Sequence, residues 1–420
     1  MRTPADHALE IAELLRPLRT RLADPRNAVR PPLSEARGRL LASDVTSPGF
    51  VPPFANSQMD GYAVRSDDVR AASASTPLTL PVGATSAAGD PIRRHVAGTA
   101  SPVMTGAPIP HGADSVIQIE LADPPRFTGI GAGSRDAAPG TTVSFSAPVA
   151  AGAFVRPAGA DLVPGAVILP AGTRLGPVGL GSLAAAGVAE VLVRPRPRVL
   201  LLSTGDELRA PGEPLAPGQI HDANTTSLTA ALQESGAVVS HASVSDAASA
   251  VLDEIAKHPD VDLVLTAGGV SAGAFEVVRD ALEGAGVTFG SIAMQPGGPQ
   301  GFGTLAVVGG GRVPVVAFPG NPVSALLSFE VFLRPLLREL SGLAPMREIT
   351  HAPLAHAITS PRTKHQVRRG ILRENGTVEV GAPGSHLLHD YARSTVLAHI
   401  PIGVDALPEG AEVEIWRIDD

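Results

Sequence analysis

Cysteine is absent from the 420-residue chain. That excludes disulfides, thiolate metal centres, iron–sulfur ligation and a cysteine nucleophile in one step, and leaves the redox compartment open. Lysine is almost absent: Lys257 and Lys364 stand against 31 arginines, which we read as the coding bias of a GC-rich sequence and not as a function. Aromatic residues make up only 3% of the chain, so its core must be built on aliphatic side chains. No apolar run approaches the roughly eighteen residues that a membrane helix needs. The N-terminal stretch MRTPADHALEIAELLRPL mixes Asp6, Glu10 and Glu13 into an amphipathic helical pattern, with neither the apolar centre nor the cleavage site of a signal peptide. A cytoplasmic protein without membrane insertion is the expectation. Basic blocks are missing too, and with a net charge of -8 nucleic acid is not expected as a partner.

What is present is 44% hydrophobic and 18% charged, enough apolar material for a sizeable core and too much for a disordered chain. At about 150 residues per domain the length suggests two to four domains, and 45 glycines with 40 prolines imply short elements and many turns. Helical spacing of Ile11, Leu14, Leu15 and Leu18 predicts one helix over residues 3–24, and Ser34 ahead of Glu35 predicts a second helix running to Leu41. Short β-type runs from Val51 to about residue 145, such as Pro102 to Thr105 and Ser115 to Glu120, predict an all-β module. A helix from Pro177 to Ala186 should end on Gly187. After the Pro-rich linker Arg194 to Pro197, RVLLLSTG opens an alternation of apolar strands and helices that predicts βαβ units and a parallel-rich sheet, with helices over Thr225–Ser235, Ala247–His258, Phe275–Glu283 and Pro322–Glu339. The expected fold class is therefore multidomain α/β. Residues 1–50 and 146–193 form a helical/β domain, 51–145 an inserted β-rich domain, 194–342 the α/β domain and 343–420 a small C-terminal β-barrel.

Four segments of the α/β domain combine glycine with short polar side chains at strand ends or helix starts: STGDEL (203–208), GQIHDAN (218–224), TAGGVS (266–271) and FPGNPVS (318–324). In an open parallel sheet ligands bind at that edge, and such turns suit an anion. A single glycine turn is ordinary punctuation; four in one domain point to a ligand. Asp206, Glu207 and Asp222 lie beside these turns and are candidates to hold a hydrated Mg²⁺. Asp222 and Asn224 are equally well placed to cap the helix that follows. In the N-terminal half, PPFANSQMDGYAV with Asp60, MTGAPIPHGADSV with Thr105 and RPAGADLVPG with Asp161 read, residue by residue, as β-turns with Asx chemistry.

Taken together, NSQMDGYAV, MTGAPIPHGADSV, RPAGADLVPGAVILPAGTRL, STGDEL, GQIHDAN, TAGGVS and FPGNPVS, in this order, closely resemble the molybdopterin molybdenumtransferase family, whose eukaryotic relative is the E domain of gephyrin. The resemblance runs from about residue 5 to 415. It implies an elongated homodimer, a MogA-like three-layer α/β domain flanked by β domains, and insertion of molybdate into adenylylated molybdopterin with release of AMP and help from Mg²⁺. A molybdopterin adenylyltransferase is the implied upstream partner. Carried over residue by residue, Asp60, Thr105, Asp161, Asp222 and Glu276 match catalytic positions. Ser203, Thr204, Gly205, Asp206, Thr266, Gly268, Gly269, Ser271, Pro296, Pro299, Pro319, Gly320, Asn321 and Pro322 match the substrate-binding turns. Arg368 in QVRRG and Ser385 in GSHLL match C-terminal positions that lean over the partner subunit's cleft.

This chain departs from the family pattern at several points. GDYDxxK becomes GAFEVVR, so that Ala274 and Glu276 replace two acidic positions, and a family Glu becomes Gly179. The lysine-rich FxKxAxKPGKP becomes FGSIAMQPGGP, leaving Ser291, Gln295 and Gly298 where three ammonium groups are expected, with Arg279, Arg368 and Arg369 as candidate replacements. These losses motivate a second reading, a gephyrin-like dimeric scaffold that binds a protein tail. The four intact turns favour the transferase.

Overall fold

The computed structural model describes residues 1–130, 136–245, 247–270, 276–307 and 311–419. It divides into two compact units, Met1–Val29 with Leu192–Asp420, and Arg30–Val191. No helix among the described residues is long and apolar enough to cross a membrane.

In the first unit, Thr3 opens the helix Pro4–Ala23 with a capping box: its hydroxyl accepts from the Asp6 N–H, and the Asp6 carboxylate accepts from the Thr3 N–H, both at 3.1 Å. Ile11, Leu15, Leu18 and Leu22 form the buried stripe that this spacing predicts, and they pack into the same core as Val199, Leu263 and Val316 of the sheet. The six strands run in the order Val238–Val244, Arg198–Thr204, Leu263–Ala267, Arg312–Phe318, Pro299–Ala306, Val287–Ser291. The first four pair in parallel, and the last two pairings are antiparallel, so that only Pro299–Ala306 runs against the others.

Side chains alternate across this sheet because successive residues of a strand point to opposite faces. Leu201 and Leu265 join the helices Ala223–Glu234 and Pro322–Ser328 through Leu228, Leu232 and Val323. On the other face, Leu200, Leu202 and Val264 join the helices Ala248–Ala256 and Val277–Leu282 through Val251, Ile255 and Val278. Burial on both faces is why RVLLLST reads as an uninterrupted apolar run.

Several boundaries differ from the expectation. The helix predicted from Ser34 is only a 3₁₀ turn, Leu33–Glu35. Pro31 and Pro32 precede it, and the N–H groups of Leu33, Gly38 and Leu41 are taken by the carbonyls of Ala189, Leu175 and Thr173, so cross-chain pairing displaces the helical bonds. Of the helix predicted over 275–283, Val277–Leu282 is helical, while Phe275 lies outside the described residues. The long helix after Pro322 is interrupted by a π turn, Phe329–Leu333. The antiparallel pair 287–291 and 299–306 was not legible as strand. Gly301 and Gly303 lower its β propensity, yet a Cβ at Gly303 would lie 2.2 Å from the Gly286 carbonyl oxygen, so close strand approach requires that glycine.

The C-terminal sheet runs Ile349–Pro353, Glu412–Arg417, Val396–Ile400, His365–Leu372, with Val378–Val380 also paired to the last of these. Leu354, just after the strand 349–353, makes an isolated parallel bridge to Val378. Met294–Gln295, from between the two antiparallel strands of the α/β sheet, adds in parallel to His365–Leu372.

In the second unit, residues 30–57 pair antiparallel with 155–190. The β module has two three-stranded sheets, Ser101–Val103 / Gly61–Val64 / Ser115–Gln118 and Leu78–Pro81 / Thr142–Phe145 / Ala122–Asp123, around Tyr62, Val64, Leu80 and Phe145. The helix Pro177–Ala185 ends as expected, with Gly187 at φ +80°.

Candidate active site

The parallel strands of the α/β sheet deliver their carboxyl ends to a cleft of about 610 Å³. Three of its walls interlock through glycine. At the end of the 198–204 strand, Gly205 has φ +146°, and a Cβ there would lie 2.6 Å from the Glu207 carboxylate folded over it. Gly268, at φ +107°, leaves no room for a side chain: a Cβ would be 2.9 Å from the Thr204 hydroxyl. Gly320 lies against Gly268, so a Cβ on it would be 3.1 Å from the Gly268 Cα. Gly269, at φ +64°, admits the start of the 277–282 helix, whose Arg279 N–H donates to the Gly269 carbonyl at 2.9 Å. These glycines are required by the packing of one turn on the next, as well as by open space in front of them.

Asp222 caps the helix Ala223–Glu234. One carboxylate oxygen accepts from the Thr225 N–H at 2.9 Å and the other from the Thr225 hydroxyl at 2.5 Å. That hydroxyl also meets Ser203 Oγ at 2.8 Å. Asp222 is buried yet contributes to the cleft wall, so capping and a ligand-facing position coexist in one side chain.

Of the sequence-predicted positions, Thr204, Gly205, Glu207, Asp222, Gly268, Gly269, Glu276, Pro299, Pro319, Gly320, Asn321 and Pro322 come together around this cleft. Others do not. Ser203 and Thr266 are wholly buried beneath it, Asp206 and Pro296 lie outside its wall, and Ser271 lies outside the described residues. Arg368 and Ser385 do not line this chain's own cleft.

The three carboxylates Asp206, Glu207 and Asp222 do not gather into one ligand set, and no group of three His, Asp or Glu side chains among the described residues is arranged to hold a metal. What the cleft offers is Glu207, Asp222 and Glu276 in its wall. That donor set fits a hydrated Mg²⁺ brought in on phosphate oxygens, since such an ion keeps most of its waters and takes one or two carboxylates.

The arginines suggested as replacements for the missing lysines are engaged elsewhere. Arg279 pairs with Glu283 at 3.0 Å. Arg368 is buried and donates to the carbonyls of Gly381 and Thr359, and burial together with the neighbouring Arg369 pulls its guanidinium below the usual value. Arg369 donates to Ala382 and Gly384. None of the three lines the cleft. Burial forces such a charge onto backbone carbonyls, and nothing in the letters RRG distinguishes an inward arginine from a cleft arginine. Gln295 likewise accepts from Gln366 Nε2 at 2.8 Å and stands outside the cleft wall.

In the second unit, Asp60 and Thr105 meet. One carboxylate oxygen of Asp60 accepts from the Thr105 N–H at 2.7 Å and from its hydroxyl at 2.8 Å. Antiparallel pairing of Gly61 with Val103 brings them together, and Gly61 is obligatory because a Cβ would lie 2.0 Å from the Ile117 carbonyl oxygen. Both side chains are exposed. Asp161 is also exposed, on a turn whose N–H donates to the Val51 carbonyl.

Sequence reasoning did not single out several residues of the cleft wall as ligand contacts, among them His221, Ser324 and Asn224, and Asn224 bridges two of the turns. Its amide Nδ2 donates to the Gly320 carbonyl at 2.6 Å, tying the second turn to the fourth. Its sequence signal was ambiguous, since Asn at a helix start reads first as a cap.

A mixed sheet with helices on both faces and a glycine-walled cleft at its carboxyl edge defines a ligand-binding α/β protein. Three family models match in succession: the MoeA N-terminal region (domains I and II) over residues 3–187, a probable molybdopterin binding domain over 200–339, and the MoeA C-terminal region (domain IV) over 351–418. Over the whole of both chains, the sequence is 41% identical to molybdopterin molybdenumtransferase 2 of Mycobacterium tuberculosis. It is 36% identical to the molybdopterin molybdenumtransferase of Haemophilus influenzae, over 86% of this chain and 87% of that one. A crystal structure of a MoeA molybdopterin biosynthesis protein from Pyrococcus horikoshii superposes with a TM-score of 0.74 at 30% identity, covering 97% of this chain and 98% of that chain. The chain belongs to the molybdopterin molybdenumtransferase (MoeA) family of molybdenum cofactor biosynthesis.

Proposed function

We propose that the chain inserts molybdate into adenylylated molybdopterin and releases AMP. The observation that carries this reading is the interlocked glycine cleft at the carboxyl ends of the parallel strands, lined by Glu207, Asp222 and Glu276. A cleft of about 610 Å³ suits a nucleotide-sized ligand. Mg²⁺, carried by the phosphates, supplies charge neutralisation for anhydride cleavage. The chain's own residues orient the substrate: the Gly268 and Gly320 turns give it close backbone approach, and Thr225 holds both oxygens of Asp222 in fixed directions.

The reading extends to a four-part division at residues 1–50 with 146–193, 51–145, 194–342 and 343–420, with a MogA-like third part and a barrel-like fourth. It includes a cytoplasmic homodimer in which Arg368 and Ser385 serve the partner's cleft, catalytic roles for Asp60, Thr105 and Asp161, and a molybdopterin adenylyltransferase as the supplier of substrate. Full-length similarity to named molybdenumtransferases supports the transferase over the scaffold. Complementation tests it. The chain should restore nitrate reductase activity, at ordinary molybdate, to a strain lacking its own molybdenumtransferase; failure of a soluble, folded product to do so would count against the enzyme.

A further inference from the structure

Two side-chain amides in the cleft wall are left with the same group unpaired. Asn224 is 6% exposed, and its Oδ1 is buried without any hydrogen-bond partner. The direction of its amide follows from chemistry: a carbonyl only accepts, so the atom 2.6 Å from the Gly320 oxygen is the NH₂, and the oxygen is the group left over. Asn321 occupies the N-cap of the 322–328 helix but makes no side-chain cap bond, although accepting an N–H of the first turn is what Asn at that position ordinarily does. Its Oδ1 is also buried and unpartnered. The two residues are adjacent through Gly320, the acceptor of one and the chain neighbour of the other, and both line the cleft.

A buried carbonyl oxygen without a donor is costly, because it has lost water and gained nothing. Two such oxygens, on residues linked through Gly320, repel phosphate and molybdate, which offer only lone pairs, and they attract N–H groups. We propose that Asn224 and Asn321 form an acceptor pair that reads the N–H-bearing edge of a nitrogen heterocycle and so orients the substrate in the cleft, with its anionic part directed away from them. This rests on the reading of the cleft as the site for adenylylated molybdopterin. Two parts of that substrate carry such an edge, the adenine and the pterin.

Titration calorimetry on the full-length chain tests this with three probes: AMP, ribose 5-phosphate, which keeps the phosphate and lacks the base, and neopterin, which has the pterin and lacks the phosphate. The variants are Asn321→Ser, which retains a capping residue, and Asn224→Leu, each checked for thermal unfolding. The expected result is a loss of about tenfold or more in affinity for one base-bearing probe, with ribose 5-phosphate unchanged. Loss confined to AMP assigns the pair to adenine, and loss confined to neopterin assigns it to the pterin. If the wild-type chain binds the probes and the variants weaken all three equally, or none, the acceptor pair is overturned while the cleft stands. If the wild-type chain binds no probe, the reading of the cleft falls and the pair with it. Should Asn224→Leu fail to fold, Asn321→Ser alone decides.

Discussion

In the α/β cleft, Asn224, Asn321, Glu207 and Asp222 surround open volume, held in place by turns that touch one another. In the C-terminal sheet, Arg368 and Arg369 are closed on backbone carbonyls, and His365 and His399 on each other, Nε2 to Nδ1 at 3.0 Å. His399 also stacks on Trp416, ring centroids 4.1 Å apart. Polar side chains occur in both places. The side chains of the C-terminal sheet are anchored within that part of the chain, although Arg369 Nε and Nη1, Gln366 Oε1 and His399 Nε2 are also buried there without partners, whereas those of the cleft line open volume, so a match to a motif does not by itself say that a side chain is available.

Glycine gives the sharpest contrast between the two regions. Gly268 in the cleft and Gly403 in the C-terminal part have similar φ values, +107° and +98°, but a Cβ at Gly268 meets Thr204 while one at Gly403 meets nothing within 4 Å. Both alanine variants pay backbone strain of about 1–3 kcal/mol. Gly268→Ala should cost roughly 1–3 kcal/mol more, from overpacking, and should also abolish AMP binding. Urea unfolding of the pair measures the difference. Equal losses would mean that the interlocked turns add nothing beyond φ.

Asp222 is next in size, because it belongs to both categories. As a cap it is worth about 1 kcal/mol; as a cleft carboxylate it should be essential. Asp222→Asn keeps a capping oxygen and removes the charge, whereas Asp222→Ala removes both. Molybdenum insertion should be lost in both variants, and stability should fall by about 1 kcal/mol in the alanine variant only. Insertion retained by Asp222→Asn would assign the residue to structure alone.

The legible part of this protein follows from the same contrast. RVLLLST could be read as a doubly buried strand, and the glycines at 268, 269 and 320 as a cleft, because apolar runs and backbone freedom are properties of the residues themselves. Arg368 could not be separated from a cleft cation, nor Thr266 from a ligand hydroxyl, because availability depends on which carbonyl or core wall lies opposite. The strand 299–306 was hidden by its own glycines, which serve a close approach that only the folded sheet reveals.

Buried histidines make the contrast visible in pH. His7 is wholly enclosed between Phe302 and Phe332, and burial, helped by Arg2, lowers its pKa to about 4; burial, with His365 adding, lowers His399 to about 3. A depressed histidine is neutral in the fold and charges more readily when unfolded, so its contribution is fully present above about pH 6.5 and is lost as pH falls towards the folded value. Each such histidine contributes a slope of up to about 1.4 kcal/mol per pH unit below that point. His7→Leu should therefore flatten the decline in stability between pH 6.5 and pH 4.5, measured by urea midpoints, with little change at pH 8. A slope unchanged by the substitution would mean that His7 is not buried neutral.

The smallest effect expected is a coupling close to zero. Were Arg368 a stand-in for the missing lysines, Arg368→Ala would raise the molybdate concentration needed for insertion, and Ser291→Lys would rescue it, giving a clear interaction in a double-mutant cycle. Its guanidinium is instead directed at Gly381 within its own sheet, and Ser291 is exposed outside the cleft wall. Ser291→Lys alone should lower the molybdate requirement slightly, with a gain that disappears in added salt, as for any exposed charge. The two changes should then add within about 0.5 kcal/mol in apparent molybdate affinity. A larger coupling would show that Arg368 does stand in for the missing lysines, and since it does not line its own cleft, it would do so at the partner's.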